Sequence, residues 1–219
     1  PLIQKLLIPF TIPKNEFSKY GIDEKNIIQY KAIDAVVTMK RKIDQKARLP
    51  FKKNHKKNIL IRIEEEEASY TSKSSKAIQI IENITNEFSD ENIVVLGRYE
   101  KQIKNLQKII GKKAKIVKMS FDGKHLLNNT DVFIGSGGTM TAESALMGIP
   151  TISYNAVPNI IEEFLVKKQL VRRETNGVKI SSHIKKIFES TKNLNEKRAK
   201  NVVRVMEDPI QKLIKIINN

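Results

Sequence analysis

From residue 59 onward, short β-branched runs alternate with stretches of helical period, and this alternation restricts the fold more than any other feature. The runs are NILIRI (58–63), NIVVLG (92–97), KIVKM (115–119), DVFIG (131–135) and PTISY (150–154). Each is short and almost continuously apolar, the pattern of a strand covered on both faces in a parallel sheet. Between them SSKAIQIIENITNEF (74–88) places Ala77, Ile80, Ile81, Ile84 and Phe88 at helical spacing after a Ser-rich start. EKQIKNLQKIIG (100–111) does the same with Ile103, Leu106, Ile109 and Ile110, and stops at Gly111. Further helices are expected at 139–148, 159–168, 180–190 and 194–207. The fold class is α/β, a doubly wound parallel (Rossmann-like) sheet. An α+β packing would need hairpin signals between adjacent strands, and the one Asn-Gly pair, Asn176–Gly177, falls late in the chain.

With 219 residues and 40% hydrophobic content the chain can bury one good core and the edge of a second. Residues 1–58 do not follow the alternation. KLLIPFTIP (5–13) reads as a lone strand entering a Pro-punctuated loop, and the residues after it carry few strong apolar patterns. The expected division is a remnant of an upstream domain plus connector (1–58), a Rossmann-like domain (59–207) and a C-terminal helix (208–219). The first residue is Pro rather than Met, which fits an expectation that sequence upstream is missing.

Composition narrows the chemistry. There is no Cys, so neither a disulfide framework nor a zinc site is indicated. His55, His125 and His183 lie far apart with no ligand spacing, and no metal or other cofactor is expected. The net charge of +16 comes from 40 basic residues, of which eight are Arg; the Lys are spread along a chain rich in Ile and Asn. This reads as a solvated Lys surface in preference to a nucleic-acid footprint. The densest run, KKNHKK (52–57), lacks interleaved aromatics for base stacking. PLIQKLLIPF is neither a signal peptide nor a membrane span, so a cytoplasmic location is the default and membrane contact is left open only at the periphery.

In a doubly wound sheet of order 3-2-1-4-5-6, ligands occupy the crevice beyond the carboxyl ends of strands one and four. Counting from NILIRI, the fourth strand is DVFIG, which places Gly135, Ser136, Gly137, Gly138 and Thr139 at that point. Glycines admit close approach of an anion, and the free N–H groups opening the next helix carry partial positive charge worth about 1 kcal/mol to a phosphate. The same glycines could serve only to make a tight strand-to-helix turn. Glu143 is a carboxylate among Ala142, Ala145, Leu146 and Met147, on a face that otherwise reads as buried, and the sequence shows no obvious partner for it. One turn past a phosphate site it is placed to accept two ribose hydroxyls; the alternative is a solvent-facing Glu. Arg62, inside the first apolar strand, either reaches a phosphate or pairs with one of Glu64 to Glu67. Ser69 and Tyr70 sit where the next helix begins. Arg98, after the second strand, faces the same edge, or is simply an exposed Arg.

These segments carry a resemblance. SGGTMTAESALMGIP (136–150) is similar to the Ser-Gly-Ala-Leu-Thr-x-x-Glu signature of the GT-B peptidoglycan N-acetylglucosaminyltransferases and, more loosely, to the Ser-Gly-Gly loop of UDP-N-acetylglucosamine 2-epimerases. RIEEEEASY, LGRYEKQ, SFDGKHLL and DVFIGSGGTMTAESALMGIPTISY, in that order, resemble a largely archaeal domain-of-unknown-function family, number 354, over residues 5 to 215. The GT-B resemblance implies that Ser136 to Thr139 hold a donor diphosphate, that Glu143 binds ribose, and that main-chain groups of Ser120 to Gly123, with Phe121, contact a uracil ring. It further implies the C-terminal half of a GT-B fold, whose first domain binds acceptor and often supplies the base, and whose last helix, here DPIQKLIKIINN (208–219), crosses back to that domain. Before residue 59 there is no room for such a first domain, and the loop after strand one is acidic where the transferase is Gly-rich.

The expected function is therefore the nucleotide-sugar-binding part, with UDP-sugar as donor, of a metal-independent glycosyltransferase-like protein whose acceptor and catalytic residues the sequence does not reveal. The runner-up is a 2-epimerase-like enzyme; a basic module for RNA or polyphosphate is the reading from another class.

Overall fold

The computed structural model describes residues 4–43, 46–52, 54–63, 71–118, 121–154, 157, 159–190 and 194–218, with side chains in the first helix after the acidic loop described from residue 76. Six strands form one sheet: β3 (Asn58–Arg62), β4 (Asn92–Gly97), β5 (Lys115–Lys118), β6 (Val132–Gly135), β7 (Thr151–Ser153) and β8 (Val171–Arg173). Their order is β5-β4-β3-β6-β7-β8 and every pairing is parallel. Counted from β3 this is the 3-2-1-4-5-6 arrangement, and the winding reverses between β3 and β6.

Strand alternation divides the core between the two faces of the sheet. Ile59, Ile61, Val95 and Ile134 face α3 (Thr71–Glu87) and α8 (Gly177–Glu189), packing on Ile80, Ile81, Ile84, Ile180 and Ile184. Leu106 and Ile110 of α4 (Glu100–Ile110) join the same cluster. Leu60, Val94, Leu96 and Phe133 face the other way, onto Leu126 and Leu127 of α5 (Gly123–Asn128) and Met140 of α6 (Thr139–Leu146). Each fully buried Ile or Leu contributes roughly 1.5–3 kcal/mol, so these clusters are the main source of the sheet's stability.

The first forty residues are more structured than their polarity suggests. β1 (Leu6–Pro9) and β2 (Ile27–Tyr30) pair in parallel, with α1 (Asn15–Ser18) between them, and α2 (Val36–Lys40) follows. KLLIPFTIP is thus one of two strands. Tyr30, Ile33 and Val36 pack against Ala142, Ala145 and Leu146 of α6, together with Leu165 of α7 (Ile160–Lys167) and Ala199 of α9 (Leu194–Arg204). α6 is therefore covered on two sides, which explains its nearly all-apolar sequence: Met140, Thr141, Ala142, Ser144, Ala145 and Leu146 are all buried. The chain ends in α10 (Pro209–Ile217), capped by Asp208, which also pairs with Lys40 at 2.7 Å.

Asn176 and Gly177 make no hairpin. Asn176 is the N-cap of α8, its side chain accepting from the Lys179 amide, and the helix starts three residues earlier than its apolar pattern suggests.

Candidate functional site at the winding reversal

The geometry of the turn after β6 follows from three glycines with different duties. At Gly135 a Cβ would meet Thr141 Oγ1 at 2.5 Å and the Phe133 ring at 2.6 Å, so no side chain fits there. Gly137 has φ +84°, a left-handed conformation that costs an L-residue about 1–2 kcal/mol. Gly138 is extended and is the N-cap of α6, yet among the described residues no side chain caps the helix. A Cβ on Gly138 would meet no atom of the described residues within 4 Å.

The Gly138 carbonyl takes up the amides of Thr141 and Ala142 at 3.0 and 3.2 Å. Among the described residues, the amides of Gly138, Thr139 and Met140 have no acceptor, so the positive end of α6 is presented to the opening. Gly138 and Thr139 are exposed and Ser136 is partly so.

Arg62 ends β3 instead of interrupting it. Ile61 is opposite Ile134, so Arg62 and Gly135 leave the sheet on neighbouring strands, about 4.8 Å apart across the ladder. Among the described residues the buried Nη1 of Arg62 has no hydrogen-bond partner. Burial holds the guanidinium below its ordinary pKa, and the nearby Arg98 guanidinium pushes in the same direction. Tyr154, just past β7, donates to the Arg62 carbonyl at 3.3 Å. Arg98 is exposed at the end of β4 and stacks toward Tyr99 at 5.7 Å. Two cations and an uncapped helix terminus thus converge on one edge, an arrangement that favours an anion. Glu64 to Glu67, Ser69, Tyr70 and Ser120 lie outside the described residues.

Glu143 does have a partner, contrary to expectation. The Thr38 hydroxyl on α2 donates to Glu143 Oε1 at 2.5 Å. The half-buried Phe121 rests on the Leu60–Phe133 cluster, and Asp122 beside it caps α5 and pairs with Arg41 at 2.9 Å. Lys124 donates to the carbonyls of Met39 and Arg41, which fixes the end of α2 over this corner.

Asn159 was not foreseen as part of the site. It caps α7, accepting from the Glu162 amide at 2.8 Å, and its Nδ2 donates to the Gly137 carbonyl at 2.9 Å. The Asn-x-x-Glu spacing of 159–162 does signal a helix start, but nothing in it points to Gly137. A cleft of about 1360 Å³ lies toward the opposite edge, where Lys57, Asp131, Pro150 and Leu170 lead into their strands, and it includes none of residues 135–143. The converging charges, and the rule that such sheets bind at their carboxyl edge, favour the winding reversal over that cleft. No cluster of His, Cys, Asp and Glu suited to a metal occurs among the described residues.

Sheet order and the glycine turn together define a doubly wound, Rossmann-like α/β protein whose winding reverses between β3 and β6. The chain belongs to the family described as protein of unknown function (DUF354), whose model matches residues 1–219. It is 37% identical over 102 residues to the uncharacterized protein MJ0665 of Methanocaldococcus jannaschii, an alignment covering 46% of this chain and 28% of that one. The structure resembles the UDP-GlcNAc 2-epimerase from Neisseria meningitidis, solved bound to UDP-GlcNAc, with TM-score 0.67 and 15% identity over 92% of this chain and 59% of that one. It resembles the glycosyltransferase SnogD from Streptomyces nogalater with TM-score 0.58 and 14% identity, over 93% of this chain and 61% of the other. At such identities the likeness is one of fold, and this chain spans less than two thirds of either protein. No described helix is long and apolar enough to cross a membrane.

Proposed function

We propose that the crevice between β3 and β6 binds the diphosphate of a nucleotide sugar, with UDP-sugar as the donor class, in a glycosyltransferase-like protein. The Gly138, Thr139 and Met140 amides face the diphosphate, Ser136 and Thr139 add hydroxyls, and Arg62 supplies charge from the neighbouring strand, with Arg98 further out. Glu143 takes the ribose hydroxyls in competition with Thr38, and the backbone around Phe121 meets the base. In sugar transfer an acceptor hydroxyl oxygen bonds to the anomeric carbon while the bond from that carbon to the diphosphate oxygen breaks. The leaving electron pair goes to the diphosphate, and the helix terminus and Arg62 stabilise it there. The acceptor's proton passes to a base on the acceptor side. One observation carries the reading: among the described residues nothing meets a Cβ on Gly138 and no side chain caps the helix it opens, while Arg62, whose Nη1 is buried without a described partner, ends the strand next to Gly135.

The test is calorimetric and thermal-shift titration with UDP, GDP, ADP, CDP and their sugars. Stabilisation by a nucleoside diphosphate, lost in Glu143→Ala, supports the reading, and a chain indifferent to all of them refutes it. The epimerase alternative uses the same donor pocket and is distinguished by whether the intact protein inverts a UDP-sugar without any acceptor.

A further inference from the structure

Gly137 is held by side chains at both of its polar ends. Its amide donates to Thr141 Oγ1 at 3.2 Å, and its carbonyl accepts from Asn159 Nδ2 at 2.9 Å. The left-handed φ of +84° at this residue sets how the peptides on either side of it are turned. A carbonyl oxygen turned toward the mouth of α6 would repel an anion there, whereas one turned away leaves the following amides in command of the opening. The direction of the Gly137 carbonyl therefore decides whether the turn accepts or rejects a phosphate.

Asn159 reaches this carbonyl from another element. Its Oδ1 accepts from the Glu162 amide at 2.8 Å, the ordinary work of a helix N-cap. Capping needs only an acceptor, and Asp would do it equally well. The second bond needs a donor, which a carboxamide has and a carboxylate lacks. The residue type matches both tasks at once, and the assignment of its two terminal atoms is fixed by them: the oxygen faces an N–H and the nitrogen faces a carbonyl.

We propose that Asn159 is a positioning residue of the diphosphate cradle: its carboxamide draws the Gly137 carbonyl away from the mouth of α6. The inference rests on the donor reading above and extends it to a residue that does not itself touch the ligand. Asn159 lies 22 positions beyond Gly137 and couples the start of α7 to the turn, so a change of pose in α7 is transmitted to the diphosphate site.

The substitution Asn159→Asp separates the two tasks, because it keeps the cap and removes the donor. On the whole chain, UDP binding is measured by calorimetry and uridine binding by ligand-observed NMR, with thermal unfolding in parallel. Asn159→Asp is expected to melt a few degrees below the wild type, to bind UDP about tenfold or more weakly, and to bind uridine unchanged. Asn159→Ala is expected to lose the same UDP affinity and to melt lower still, having lost the cap. Equal UDP affinity in Asn159→Asp overturns the inference and leaves the donor reading standing, and so does a parallel loss of uridine and UDP binding. A wild-type chain that binds no UDP removes the donor reading and this inference with it.

Discussion

The Thr38 hydroxyl donates to Glu143 Oε1 at 2.5 Å, joining the N-terminal segment to the helix behind the Gly-rich turn across 105 positions of sequence. Ribose hydroxyls that donate to the same place on Glu143 compete with Thr38 for it. A hydrogen bond to a charged group contributes about 1.5–3 kcal/mol in place, and part of that is regained from the incoming ribose. Thr38→Val is accordingly expected to tighten UDP binding by about three- to tenfold in calorimetry. Weaker binding in this variant would make Thr38 a group that orients Glu143 instead of competing for it.

The structure also pairs a buried carboxylate with a partly exposed Arg. Glu162 is 1% exposed, and its carboxylate meets Arg173 Nε at 3.5 Å. Glu162→Ala removes one end of the pair and leaves Arg173, which is 31% exposed and open to water. The variant is expected to lose about 1–2 kcal/mol of unfolding free energy in urea titration. The double variant Glu162→Leu/Arg173→Met should recover much of that loss. A Glu162→Ala variant as stable as the wild type would show that the pair is idle.

His183 gives the stability a pH dependence. Burial, then Arg172, holds its pKa below the ordinary imidazole value, with Lys186 and Lys179 adding to this and Glu174 opposing it. The unfolded chain binds this proton more readily than the folded one. Stability from His183 is therefore fully present above the unfolded value, near 6.5, and declines as pH falls toward the lower folded value. Urea midpoints measured from pH 7.5 down to 5 should fall, and His183→Gln should flatten that segment. An unchanged slope in the variant would assign the loss to other groups.

Much of the central sheet could be read from the chain because its strands are covered on both faces and so consist of β-branched runs. β8 escaped that test: Val171 is buried, but Arg172 and Arg173 put charge at the sheet's edge, where one side meets solvent. β2 and α2 were missed as well, since IIQY and VVTMK are too short to show a period. The Gly-rich turn was legible from local backbone demands, with Gly137 and Gly135 each required by sterics. Glu143's partner was not, because Thr38 reaches it only through the packing of α2 on α6. The same holds for Asn159, whose capping role shows locally and whose bond to Gly137 exists only in three dimensions.

The uncapped start of α6 gives the central claim its most direct test, through Gly138. Its extended backbone suits any residue and a Cβ there meets no atom of the described residues within 4 Å, so Gly138→Val should cost about 1 kcal/mol or less in stability, the difference between poor and fair N-caps. The added branch occupies the space assigned to the diphosphate. Calorimetric titration of UDP into wild type and Gly138→Val is therefore expected to show binding in the first and a loss of about thirtyfold or more in the second, with nearly equal melting temperatures. Equal UDP affinity in the two chains would contradict the account, because a nucleotide that tolerates a side chain at Gly138 is not held by the amides of α6.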